Sequence, residues 1–263
     1  MRGRLLTLAN AAAVFGALLL LWQLVVWMFR VPAYMLPPPW AVAKAVSRRL
    51  PSLLTALAIT AGEAGGGLVA SIGVGVSVAL VFAQWRWVRL MLYPYTLLLQ
   101  TVPIVAIAPL ILMWAGTGAP AVALIAFFIS LAPVIANTTQ GLISVEPDLV
   151  DLFVMHSATR AQIMLKLRLP HALPSLFVGM RIASGIAVIG AITGELYAGS
   201  SRVGEGGLGY SILYASSQLE TDYLFALVLA ATVLGFGFFF LIMFLEWYCL
   251  HRWHESARSP DAD

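Results

Sequence analysis

The chain has 263 residues, of which 61% are hydrophobic and only 10% charged, with a mean hydropathy of +0.92. Soluble domains carry about 25% charged residues, so a water-soluble globular fold is excluded, and a net charge of +3 is too small to suggest nucleic-acid binding. The single cysteine, Cys249, excludes an internal disulfide and any multi-cysteine metal site.

At about 20 apolar residues per span, the length leaves room for roughly five to seven transmembrane helices. Met1-Arg2-Gly3-Arg4 has the basic character of a signal peptide. The apolar run 5–29 that follows is too long for a signal core, and no small-x-small cleavage site follows it. It is expected to be an uncleaved first span. Pro37-Pro38-Pro39 ends that span and sets the angle of Trp40–Leu50, which reads as an amphipathic helix on the outer surface. Further apolar runs lie near Leu57–Phe82, Leu90–Trp114, Ala121–Thr139, Leu176–Ala198 and Tyr223–Leu250. They are continuous, whereas barrel strands would be short and alternating. Six transmembrane helices are expected, in an all-α membrane protein forming a single domain over 1–263.

Six spans place both termini on one side. If that side is the cytoplasm, Arg2, Arg4, Arg86, Arg89, Arg160, Lys166, Arg168, Arg252 and Arg258 lie inside. Arg30, Lys44, Arg48, Arg49 and Arg202 then lie outside, and Arg181 within a span. The bias agrees with the positive-inside rule.

Two connections are long. The outer one, 199–222, is rich in glycine and serine; the inner one, 141–172, carries helix patterning. Glu146-Pro147-Asp148 suits a helix start, with proline in the first turn and acids at the positive end of the helix dipole. Leu149, Leu152, Phe153 and His156 share one face by three-four spacing. Ser157 and Thr159 can bond backbone groups, ending this helix and capping a second. That second helix, Arg160 to Arg168, is expected to end before Pro170, with Pro174 opening span five. The pattern allows either an interfacial helix pair on the bilayer or a docking element for a soluble partner.

The stretch Ser157-Ala158-Thr159-Arg160 through Arg168-Leu169-Pro170 to Pro174, followed by Gly179-Met180-Arg181, resembles the EAA loop of ABC importer permeases. The likeness is greatest to the nitrate, sulfonate, taurine and bicarbonate branch. Other landmarks occur in family order: Leu36-Pro37-Pro38-Pro39, Gln100-Thr101-Val102-Pro103, Ala108-Pro109-Leu110, Asn137-Thr138-Thr139-Gln140-Gly141, Gly194-Glu195 and Gly207-Leu208-Gly209-Tyr210. There are departures. Asp151-Leu152-Phe153 replaces Glu-Ala-Ala, Ser157 stands where glycine is expected, Glu63 falls where many relatives have arginine, and Val203-Gly204-Glu205 looks inserted.

The resemblance implies a type I importer (MetI-like) permease fold in the cell inner membrane. It implies coupling to ATPase subunits through Asp148, Leu149, Asp151, Leu152, Phe153, His156, Ser157, Ala158, Thr159 and Arg160. An extracytoplasmic substrate-binding protein and a second permease, identical or related, complete the partners besides membrane lipid. ATP and Mg are expected on the partner subunits, because neither lysine, Lys44 or Lys166, stands in a phosphate-binding loop. The chain itself is expected to be no enzyme and to bind no cofactor.

Ionisable residues in the spans are few, and each invites a reason because insertion costs about 2.5–3.5 kcal/mol. Arg181 and Glu246 are explained by snorkelling to the interface. Glu63, in the glycine-rich stretch Gly62 to Gly67, either lines the pathway or bonds a neighbouring helix. Glu195 is a candidate for an outer gate. Gln100, Pro103, Asn137 and Thr138 are the other pathway candidates, with bonding between helices as the alternative. His156, His171, His251 and His254 have no ligand spacing, so no metal is expected. A stand-alone secondary transporter or channel is the competing function, and an intramembrane serine hydrolase fails because all four histidines fall outside the spans.

Overall fold

The computed structural model describes residues 2–198 and 206–251. The insertion expected at Val203-Gly204-Glu205 lies outside them, as do Arg202, Arg252, Trp253, His254 and Arg258. All regular structure among the described residues is helical.

Helix α1 (Arg2–Met28) coincides with the expected first span. Its Trp22 ring lies 5.8 Å from that of Phe225. Helix α2 (Pro39–Arg48) begins as the sequence dictates, with extended Pro38 as cap and Pro39 in the first turn, where a missing N–H costs nothing. It buries Val42 and Ala45 and leaves Trp40 exposed. Arg49 alone separates it from α3 (Leu50–Gln84), which is 35 residues long.

The third expected span is not one helix. The run Leu90–Trp114 is divided between α4 (Arg86–Leu98) and α5 (Ile104–Ala115), with a non-helical turn at 99–103. Pro103 supplies no N–H and disfavours the helical conformation at Val102, so the chain leaves the helix before it. At 1.5 Å per residue, neither 13 nor 12 residues reach across a hydrocarbon core of about 30 Å. Helix α6 (Ala119–Ile143) follows.

The inner connection contains α7 (Pro147–Met155) and α8 (Arg160–Ile163). The break expected before Pro170 is absent. A π turn (Met164–Arg168) joins α8 directly to α9 (Leu169–Ala198), giving 39 continuous residues. The wide turn lets Leu169 N–H reach back five residues to Met164 O. It also moves aside the preceding carbonyl that a proline ring would meet in a regular helix. After the outer connection come α10 (Leu208–Ser217) and α11 (Thr221–Leu250).

Helices α3, α6 and α11 and the continuous Arg160–Ala198 helix are long and apolar enough to cross a membrane. With α1 and the broken α4–α5 pair, the helices accommodate six spans. Helix α6 lies at the centre, between α3 and α9. Two glycines permit that. A Cβ on Gly67 of α3 would stand 2.5 Å from Ala123 O, and one on Gly190 of α9 would stand 2.9 Å from Ala126 Cα. Helices that cannot gain from a hydrophobic effect in lipid associate by such backbone approach. The aromatic flank of α11 behaves as expected of lipid-facing bulk, with Phe236, Phe240, Phe244 and Tyr248 exposed.

Candidate functional site

Two constructions stand at opposite ends of α9. The first is the α7–α8 corner. Pro147 and Asp148 occupy the first turn of α7 as the sequence predicts, and no residue of this helix is buried. Leu149, Leu152 and Met155 are 40%, 48% and 81% exposed, an apolar face that the chain itself does not cover. Asp148, Asp151 and His156 are exposed beside them, Phe153 is half-buried, and His156 Nδ1 lies 2.8 Å from Leu152 O.

Helix α7 ends in a Schellman motif. Ser157 N–H donates to Val154 O (2.9 Å) and Ala158 N–H donates to Phe153 O (3.0 Å). The motif places Ser157 at φ +56°, a left-handed conformation that glycine adopts freely and serine does not. That is a physical reason to expect glycine at this position. Thr159 then caps α8 reciprocally. Its Oγ1 accepts Gln162 N–H (3.3 Å), while Gln162 Oε1 accepts Thr159 N–H (2.7 Å). Arg160 follows, exposed. The role of Gln162 was readable in the Thr-x-x-Gln spacing but was not singled out.

The second construction joins α3, α9 and α10. Glu195 is 3% exposed and accepts two hydrogen bonds: Thr60 Oγ1 donates to Oε1 (2.6 Å) and Gly209 N–H donates to Oε2 (2.5 Å). Leu208 N–H donates to Thr60 Oγ1 (2.8 Å). The free N–H groups of the first α10 turn are thus met by a carboxylate and a hydroxyl, as a helix N-terminus favours. The contact demands glycine. A Cβ on Gly207 would lie 2.0 Å from Glu195 Oε1, and one on Gly209 would lie 2.3 Å from Ile192 O. Glu63, one helical turn after Thr60, is 8% exposed, and its Oε2 has no hydrogen-bond partner among the described residues. Thr60 escaped the sequence reading, although the three-residue spacing to Glu63 puts both on one face of α3.

The remaining candidates do not converge. Gln100 and Pro103 are exposed at the α4–α5 break. Asn137 is half-buried and donates back to Pro133 O (2.8 Å) on its own helix. Thr138 is 1% exposed, and its hydroxyl has no hydrogen-bond partner among the described residues. Arg181 and Glu246, for which snorkelling was the expectation, pair with each other across α9 and α11. The Arg181 guanidinium also lies 5.8 Å above the Phe239 ring. Each charge thus has a counter-ion on the neighbouring helix. No group of side chains suited to a metal occurs among the described residues.

A profile of the family described as binding-protein-dependent transport system inner membrane component matches residues 71–250. A probable ABC transporter permease protein of Haemophilus influenzae is 32% identical over 93% of this chain and 96% of its own length. The riboflavin transport system permease protein RibX of Chloroflexus aurantiacus is 32% identical over 91% of this chain and 88% of its own. The formylaminopyrimidine transport permease protein ThiX of Halalkalibacterium halodurans is 31% identical, covering 88% and 91%. The chain belongs to this family and is the multi-pass permease subunit of an ABC importer, not a stand-alone transporter and not itself the catalytic component.

Proposed function

We propose that this permease subunit receives the work of ATP hydrolysis through the face of α7 formed by Leu149, Leu152 and Met155, together with the Ser157–Arg160 corner. The observation that carries this is the exposure of that apolar face on a helix whose C-terminal end is fixed to α8 by the Schellman turn and the Thr159–Gln162 cap. A force-transmitting element must be exposed toward its partner and rigid toward its own chain. ATP can drive transport only if the ATPase subunits bind one permease arrangement more tightly than another, and α8 carries any displacement straight into α9 without a break. ATP and Mg belong to those subunits, and the α7 end, with both termini, faces the cytoplasm.

The pathway runs along the α4–α5 face, closed by a second permease copy or a related chain. Irregular backbone at membrane depth is tolerated only against protein or a water-filled cavity. The break at 99–103 exposes Gln100 and Pro103, which supports placing it there. A pocket of about 230 Å³ adjoins the break, lined by Val102, Ile107, Trp114 and Phe128 with no ionisable side chain. An apolar, aromatic lining suits a neutral planar solute better than a sulfonate. Together with the likeness to riboflavin and formylaminopyrimidine permeases, it supports a heterocyclic vitamin or vitamin precursor as cargo, delivered by a binding protein at the α10 end.

Two experiments test this. With Cys249→Ser as background, Met155→Cys is expected to cross-link to the ATPase subunit in native membranes; cross-linking to lipid-facing probes alone would contradict docking there. The reconstituted complex is expected to import labelled riboflavin or a formylaminopyrimidine in preference to taurine, and the reverse preference would contradict the cargo.

A further inference from the structure

Four arginines, Arg86, Arg89, Arg160 and Arg168, line one cavity of about 630 Å³ where the α3–α4 joint meets α8 and the π turn. No acidic side chain lines it. None of the four is ion-paired among the described residues. Arg168 spends one nitrogen on Ala83 O (3.0 Å), but its Nε is buried without a partner among the described residues. The first turn of α4 opens on the same space, and its cap residue Trp85 offers no side-chain acceptor to its free N–H groups. This much unanswered positive charge beside a membrane calls for an anion.

The cavity adjoins an apolar surface. Val88 lines it and also lines an apolar groove of about 530 Å³ that continues along α3 and α4 past Phe82, Leu92 and Tyr95 to Leu99. From Val88 to Leu99 the helical rise is about 17 Å, close to half of a hydrocarbon core of about 30 Å. Trp85 and Trp87, 53% and 78% exposed at the mouth, are the residues that mark a headgroup boundary.

We infer that this cavity and the adjoining groove bind one anionic phospholipid, with its phosphate among Arg86, Arg89, Arg160 and Arg168 and an acyl chain along the α3–α4 groove. The charge is what chooses the lipid, because a basic pocket at the interface favours anionic over zwitterionic headgroups. The lipid ties α3 and α4 to the corner that carries α8, so its presence stiffens the base of α9.

The test is native mass spectrometry and lipid analysis of the transporter complex, delipidated in mild detergent and titrated with phosphatidylglycerol or phosphatidylcholine. Phosphatidylglycerol is expected to be retained about tenfold more strongly, and Arg86→Ala with Arg89→Ala is expected to remove that preference. Arg86→Lys with Arg89→Lys is expected to restore most of it, which separates charge from misfolding. Equal retention of the two lipids, or unchanged preference in the alanine variant, overturns the inference. So does efficient cross-linking of Leu92→Cys between two copies of the chain in the Cys249→Ser background, which would assign the groove to a protein contact.

Discussion

Gly209 offers its backbone N–H to the Glu195 carboxylate at 2.5 Å, and the absence of a side chain on Gly209 is what makes that distance possible. The start of α10 is therefore fixed to the end of α9 by a hydrogen bond inside the bundle, with Thr60 tying both to α3. Rearrangement of this end of the protein has to carry α3, α9 and α10 together or break these bonds.

Gly209→Ala tests the close approach. Its methyl would stand 2.3 Å from the Ile192 carbonyl, a backbone atom that cannot turn aside. Overpacking of this kind costs about 1–3 kcal/mol, so a lower Tm and loss of uptake are expected from thermal unfolding and transport assays on the purified complex. Glu195→Ala is expected to act similarly by orphaning the Gly209 N–H. Glu195→Gln is expected to retain the structure, because its oxygen still accepts from Gly209 and the Thr60 hydroxyl can turn to Ala56 O, 3.1 Å away.

The Arg181–Glu246 pair yields a charge-swap prediction. The side chains are 31% and 22% exposed, so breaking the pair should fall at the lower end of the about 3–5 kcal/mol seen for buried pairs. Arg181→Ala and Glu246→Ala are each expected to lower the yield of folded protein. The exchange Arg181→Glu with Glu246→Arg is expected to recover part of it, measured by detergent-stable yield; equal loss in the swap would show that the Phe239 stacking dominates.

Ser157→Gly is expected to stabilise the α7–α8 corner by about 0.5–1 kcal/mol, since glycine accepts the left-handed conformation that serine tolerates at a cost. Slower hydrogen exchange at Ala158, whose N–H closes the Schellman motif, would report it. Ser157→Val is expected to loosen the same amide.

Arg49 and Glu220 pair at the α2–α3 joint, where the guanidinium holds the Glu220 carboxyl below its ordinary value. A lowered pKa stabilises the folded form above the ordinary glutamate value, and the contribution disappears as pH falls through the lowered one. Both side chains are substantially exposed, so the effect is under about 1 kcal/mol. Glu220→Gln is expected to remove this part of the acid dependence of Tm below about pH 4.5 and to leave neutral pH nearly unchanged.

The spans were legible because five of the six are long uninterrupted apolar runs, and α7 because Glu146-Pro147-Asp148 is a local helix-start signal. Two elements resisted for the same reason, which is proline. Pro103 breaks a run whose hydropathy is continuous, while Pro170 fails to break one because a π turn absorbs it. Composition carries neither outcome. The pairing of Arg181 with Glu246, and of Thr60 with Glu195, is set by how α3, α9 and α11 cross, across 65 and 135 residues of sequence. Within one helix, spacing predicts which residues share a face. Between helices, a single sequence offers no such rule, and so the sequence did not point from Glu195 to its partners Thr60 and the start of α10.

The most direct test of the central claim is quantitative co-purification of the ATPase subunit with the tagged permease in mild detergent, wild type against Leu152→Asp with Met155→Asp. These side chains are exposed, so the variant should fold and insert as the wild type does. The account predicts near-equal amounts of ATPase with the wild type and its loss with the variant, at unchanged permease yield. ATPase retained in full by the variant would contradict docking on this face of α7.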